Sequence, residues 1–189
     1  MTRTPSRPPR RWRVAAALIA IGLAASACGD DSPVESPADA AADPDLIEVV
    51  AVDFHFEGLP ERVPAGTQLT LVNEAPSELH EIVALRLPDD EDRPVDELAS
   101  LSPEEMGPTL ASLEPSMVLL AAPGGEQIAA VGDGTLTEPG RYLLICMIPT
   151  GIDPDVYLQA AAESEGGPPQ VDGGPPHIVH GMFAELIVE

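Results

Sequence analysis

From Leu46 onward the chain is built of short apolar runs broken by glycine, proline and acidic residues. In Leu46 to Phe56, Val50, Val52, Phe54 and Phe56 fall on one face while Asp53 and His55 fall on the other, which predicts a half-buried strand. Val63-Pro64-Ala65-Gly66 predicts a turn, and Gln68 to Asn73 a second strand. Leu79 to Leu87 predicts a third, with His80, Ile82 and Ala84 sharing a face. Met117 to Ala122, Gln127 to Val131, Arg141 to Ile148 and Phe183 to Val188 complete the strand-like runs. Two segments carry a different rhythm. Pro94 to Met106 repeats Val95, Leu98 and Leu101 at helical spacing and contains the helix-start signal Ser102-Pro103-Glu104-Glu105. Asp153-Pro154-Asp155 offers an N-cap and a first-turn proline, predicting a helix from about Pro154 to Ser164. A Gly/Pro-rich loop, Gly166 to Pro176, follows it. Many short strands between turn signals predict an all-β sandwich of Greek-key type with short helical insertions.

The first residues have another character. Arg3, Arg7, Arg10, Arg11 and Arg13 precede an apolar run from Val14 to Ala25 that is too short to span a bilayer, which predicts a signal peptide over 1–27. Ala25-Ser26-Ala27 before Cys28 resembles the lipobox of bacterial lipoproteins and implies lipidation at Cys28. The usual leucine three residues before the cysteine is Ala25 here, so ordinary cleavage at the same place is the alternative. Residues 28–45, rich in Asp, Ala, Pro and Ser, predict a disordered tether, and residues 46–189 have the size of one domain.

Charge sharpens the picture. Five of the nine basic residues lie in the predicted signal and all 32 acidic residues follow Cys28, so the mature chain carries 4 against 32, a formal charge of −28. Such a surface repels nucleic acid and anionic lipid head groups. Membrane contact is therefore expected through the lipid anchor alone, at the outer face of a bacterial cell membrane. The acidic surface either serves solubility or meets a basic electron-transfer or delivery partner.

The candidate chemistry is concentrated near the end of the chain. Only two cysteines exist. With Cys28 lipidated, Cys146 has no partner, and a lone thiol in an oxidising compartment persists by burial or by metal coordination. Around it the sequence supplies His80, His177, His180 and Met182. One thiolate, two imidazoles and a thioether suit a trigonal His₂Cys site with a weak axial sulfur, the blue-copper arrangement. The bland alternatives are an inert buried cysteine and a core methionine. His55 shares a face with Asp53 and is expected to be an exposed strand histidine. A cysteine nucleophile is disfavoured because Cys146 ends a strand, with no helix N-terminus or cation beside it.

Four stretches together resemble the cupredoxins: the strand ending DFHF with VPAGTQLTLVNE behind it, LHEIV, PGRYLLIC and HIVHGM. PGRYLLIC is similar to the plastocyanin-like G-x-Y-x-x-x-C run at Gly140, Tyr142 and Cys146, and HIVHGM to the H-x-x-x-G-M ending at His177, Gly181 and Met182. The resemblance implies a cupredoxin-like fold holding one copper ion through His80, Cys146 and His177, with Met182 axial and His180 as rival second histidine. It implies electron transfer or copper handling with a redox or delivery partner, and no enzymatic turnover. A metal-free cupredoxin-like accessory module is the alternative, and a cysteine-dependent enzyme a remote third. One departure stands out: residues 147–176, 30 in all, separate Cys146 from His177, where plastocyanin and its relatives have only a few. Lengthening a closed loop tenfold costs about 2 kcal/mol, so the insertion does not forbid a site; it is expected to cap one.

Overall fold

The computed structural model describes residues 45–164 and 167–189. The expected signal peptide (1–27), the lipidation site Cys28 and the tether up to residue 44 lie outside the described residues. The strands are β1 (Leu46–Val52), β2 (His55–Glu57), β3 (Arg62–Val63), β4 (Thr67–Asn73), β5 (His80–Arg86), β6 (Pro115–Ala121), β7 (Ile128–Val131), β8 (Thr135–Leu136), β9 (Gly140–Ile145) and β10 (Phe183–Val188). Among the described residues three helices join them: α1 (Val95–Ala99), α2 (Pro103–Ala111) and α3 (Pro154–Glu163). A single 3₁₀ turn covers His177–His180.

Two sheets form an all-β sandwich with short helical insertions, as the sequence predicts. One has the order β2-β1-β4-β8, the other β3-β10-β9-β5-β6-β7. Both are mixed, because β1 runs parallel to β4 and β3 parallel to β10, while the other pairs are antiparallel. The neighbours β5 and β9 are separated in sequence by α1, α2 and three strands, the kind of crossover that defines a Greek key.

Alternation in the strands sorts side chains into two cores. Between the sheets lie Val49, Ala51, Leu69 and Leu71 from one side and Ile82, Ala84, Leu119, Leu144 and Leu186 from the other, all buried. The opposite parity of β5 and β9 supplies Leu85, Leu143 and Ile145 to a second core with Leu98 of α1 and Met106 of α2. The central strands of the larger sheet are thus covered on both faces, which is why β5 and β9 read as nearly continuous apolar runs.

Three local expectations are corrected. The run Leu46–Phe56 is not one strand: it turns at Asp53-Phe54, where Phe54 takes φ +63°, and returns as β2. Its buried face is Val49 and Ala51 rather than Val50 and Val52. The parallel register sets Val49 opposite Leu71 and Ala51 opposite Asn73, so the buried parity of β4 dictates that of β1. The helical stretch Pro94–Met106 is two helices, parted where Ser102 starts α2. There Glu105 Oε2 accepts hydrogen bonds from the Ser102 amide (3.3 Å) and hydroxyl (2.7 Å). The two-residue strands β3 and β8 carry too few residues for any periodicity, and the turn predicted at Val63 begins one residue later.

Candidate metal centre

Each candidate donor stands at the end of an element. His80 opens β5, Cys146 follows the last residue of β9, His177 opens the 3₁₀ turn and Met182 precedes β10. The parity of Tyr142, Leu144, Cys146 and Ile148 is as the sequence predicts: all four belong to the core between the sheets. His80, with Ile82 and Ala84 on the same face of β5, is fully buried at the rim of that core.

The long insertion is closed at its base by the backbone. The Ile178 amide donates to the Cys146 carbonyl (2.9 Å), His177 to Ile148 (3.0 Å), Thr150 to Pro175 (3.1 Å) and Gly174 to Thr150 (2.9 Å). These bonds zip residues 146–150 against residues 174–178, with Pro149 facing Pro176 as an antiparallel bridge. His177 is therefore held beside Cys146 by local pairing, whatever the length of chain between them. The Cys146 amide in turn donates to the Met182 carbonyl (3.1 Å), and the Met182 amide to the His177 carbonyl (3.2 Å). Gly181 takes φ +102°, a conformation open to glycine, and this turns the chain from the 3₁₀ turn into β10. Helix α3, capped by Asp153, packs Tyr157 into the core, with Ile152, Leu158, Ala161 and Val171 half-buried around it.

Three side chains converge. His80 Nδ1 lies 3.1 Å from His177 Nδ1, and Cys146 Sγ lies 3.3 Å from His177 Nδ1. One donor atom from each of the three residues falls within 4.8 Å of the others, and none of the three is exposed to solvent. Phe54 packs edge-on against the His177 ring at 5.1 Å. Burial, reinforced by the neighbouring His177, pushes the pKa of His80 down to about 4. Burial also holds His177 below its ordinary value, outweighing the opposing pull of the Glu78 carboxylate. Both rings are thus neutral at neutral pH, the form that binds a metal. Burial pushes the Cys146 thiol well up, with the negative charge of Glu81 adding to the effect. A nucleophilic cysteine needs the opposite shift and access to substrate, and Cys146 has neither.

Met182 is fully buried beside this cluster. His180 is exposed, its ring tilted against Phe54 at 4.9 Å, and it is not one of the three converging side chains. His55 is exposed in β2, as the sequence predicts, and pairs with Glu57 at 3.1 Å. Three residues that the sequence did not single out brace the centre. Buried Asn73 donates to the carbonyls of Glu78 (2.9 Å) and Ala121 (2.8 Å) and accepts from the Ala75 amide, fixing the loop before His80. Glu81, buried on the residue next to His80, accepts from the Met147 amide (3.0 Å) on the residue next to Cys146. Glu78 reaches the Gly151 amide and the far edge of His177. In a chain with 32 acidic residues nothing local marks either glutamate.

The donor set fits one copper ion. Two donors bonded to a common ion at about 2.0–2.3 Å stand roughly 3.0–3.7 Å apart at near-tetrahedral angles, and both short contacts here lie in that range. The Nε2 atoms of His80 and His177, on the ring edges away from these contacts, are buried and make no hydrogen bond. Soft thiolate with two imidazoles is the combination that copper prefers.

No family model and no curated protein matches the chain. Among solved structures, dithionite-reduced auracyanin from the photosynthetic bacterium Roseiflexus castenholzii is 19% identical, covering 77% of this chain and 97% of its own, with a TM-score of 0.41. Auracyanin A of Chloroflexus aurantiacus, described as a "blue" copper protein, is 18% identical over 76% of this chain and 98% of its own, with a TM-score of 0.36. Auracyanin B is 20% identical over 76% and 88%, with a TM-score of 0.36. The described residues of this chain form a two-sheet β-sandwich that gathers two neutral imidazoles and one thiol in a fully buried cluster.

Proposed function

We propose that this protein binds a single copper ion, which His80, Cys146 and His177 would hold with the Met182 thioether as a further weak donor, and serves electron transfer or copper handling outside the cell membrane. One observation carries the reading: donors from three separate segments meet as a compact, fully buried triad. Copper, when bound, supplies a one-electron couple. The protein contributes the rest. It holds two imidazoles neutral, releases the Cys146 proton on binding, excludes water and fixes donor spacing through the backbone pairing of residues 146–150 with 174–178. The protein itself turns over no substrate, and its partner is a redox or copper-delivery protein. The arginine-rich leader and the lipobox-like Cys28 support export and lipid anchoring, and the acidic mature chain supports a partner with a basic face.

The test is a Cu(II) titration of the purified protein. One equivalent is expected to produce an intense sulfur-to-copper charge-transfer band that Cys146→Ser abolishes, and to raise the melting temperature as ligand binding to the native state must. Stoichiometric copper without such a band sinks the reading. The rival, a metal-free accessory module, draws on the same short contacts, since Sγ, Nδ1 and Nδ1 can share protons in a hydrogen-bonded chain. It expects no thermal shift on adding copper.

A further inference from the structure

Glu78 joins the insertion to the candidate centre. Its Oε2 lies 3.1 Å from the Gly151 amide, with Oε1 at 3.3 Å, so the carboxylate takes up the N–H of the residue just beyond the paired base of the insertion. The same Oε2 lies 3.4 Å from His177 Nε2, an ion-pair distance to a ring nitrogen that is otherwise without a polar partner. The opposite ring nitrogen, Nδ1, faces Cys146 Sγ and His80 Nδ1. Glu78 is not free to drift. Its own carbonyl is held by Asn73, which is anchored on Ala121 of β6, and its side chain is only 19% exposed.

The geometry points to Glu78 as a positioning residue that selects the His177 tautomer and latches the 147–176 insertion to it. A neutral imidazole carries one proton, on Nδ1 or on Nε2, and the two forms are not equivalent here. A carboxylate at the Nε2 edge draws the proton to that side and leaves the Nδ1 lone pair facing the thiol and His80. A proton on Nδ1 would instead block the donor atom. Ligating histidines are commonly oriented by a carboxylate on the other ring nitrogen, and loss of such a partner typically costs 10–100-fold in metal affinity. In this chain the orienting carboxylate also grips Gly151. Displacing Gly151 therefore removes the amide that steadies the carboxylate beside His177, and the first residues of the insertion become part of the site's assembly.

This inference rests on the metal reading for its consequence but not for its first test. In metal-free protein labelled with ¹⁵N, the His177 ring shifts at pH 7.5 are expected to report Nε2–H, and the Gly151 amide to exchange slowly. Glu78→Ala should move His177 toward Nδ1–H and speed Gly151 exchange. Glu78→Gln, whose amide oxygen can still stand at the Nε2 edge and accept from Gly151, should retain most of both, and it also serves if the alanine variant folds poorly. In copper or cobalt titrations the alanine variant should bind 10–100-fold more weakly, with glutamine restoring most of the loss. An unchanged His177 tautomer in folded Glu78→Ala overturns the proposal. So does a Glu78→Gln protein that behaves like the alanine variant in both the ring shifts and the Gly151 exchange. If neither metal binds the unaltered protein, the copper reading fails while the ring shifts still decide the role of Glu78.

Discussion

Replacing Glu81 with glutamine should change how the stability of the metal-free protein depends on pH, and the sign is fixed by burial. Burial raises the Glu81 pKa from 4.5 to about 7, despite the opposing hydrogen bond from the Met147 amide. A native carboxyl that holds its proton more tightly than the unfolded chain contributes stability fully below the unfolded pKa. That contribution is lost as pH rises through about 7. The difference between 4.5 and about 7, at about 1.4 kcal/mol for each pH unit, gives a loss of about 3 kcal/mol. His80 runs the other way. Its pKa falls from 6.5 to about 4, so its contribution is complete above 6.5 and is lost as pH falls toward 4. Between pH 4.5 and 6.5 the Glu81 contribution opposes that of His80 and masks it.

Glutamine removes the Glu81 titration while keeping an oxygen to accept from Met147. The measurement is urea unfolding of both proteins at pH 5, 6, 7 and 8 with a chelator present. Relative to the unaltered protein, Glu81→Gln should gain about 2.5 kcal/mol between pH 5 and pH 8, and its own profile should rise with pH between 4.5 and 6.5 as the His80 limb is unmasked. The difference between the two proteins cancels every other titrating group, His177 included. A pH-independent difference refutes the reasoning, because it would mean that the Glu81 carboxyl ionises in the native state as freely as in the unfolded chain.

Gly173→Ala should loosen the base of the insertion: a Cβ there would stand 2.5 Å from Cβ of Pro149, a ring atom that cannot swing aside, so urea unfolding should show a loss of about 1–3 kcal/mol, and an unchanged midpoint would count against that packing. Met182→Leu is close to volume-conserving and should cost less than about 1.5 kcal/mol. In the copper-loaded protein it should keep the Cys146-dependent band but shift its position and the reduction potential; an identical spectrum and potential would reduce Met182 to a core residue.

Most of the sandwich is legible in the sequence because its strands alternate against a defined core. Tyr142, Leu144 and Cys146 could be placed on one face by parity alone, and that face is the one that enters the core between the sheets. Parity fails in β1, whose residues are apolar on both faces; there only the pairing with β4 decides, and pairing is not written in a single strand. The donor types were legible too, since one cysteine beyond the expected lipidation site and four histidines leave few combinations. What closes the site was not. The bonds joining residues 146–150 to 174–178 are made by the backbone, which leaves no pattern of side chains to read, although Gly173-Gly174 marks where the two segments come too close for a Cβ. Glu78 and Glu81 read like two more surface acids until the fold puts one against an imidazole and buries the other.

That backbone closure makes the insertion separable from the donors it interrupts. A longer loop costs about 2 kcal/mol in closure entropy. The four backbone bonds at the base, at about 0.5–1.5 kcal/mol each, offset that cost by themselves. Burial of Tyr157 adds about 1.5–3 kcal/mol. Donor spacing should therefore survive removal of the insertion's body. Excising residues 152–172 would leave Thr150-Gly151-Gly173-Gly174, in which the existing bond from the Gly174 amide to the Thr150 carbonyl becomes that of a two-residue hairpin turn. Gly151 already takes φ +73°, as the first central position of such a turn requires. The shortened protein should still develop the Cys146-dependent band with one equivalent of copper. It should lose about 2–4 kcal/mol of stability because the apolar surface under Tyr157 and Val171 is laid open. A shortened protein that remains folded yet gives no band would mean that α3 itself, rather than the pairing at its base, sets the distance between Cys146 and His177.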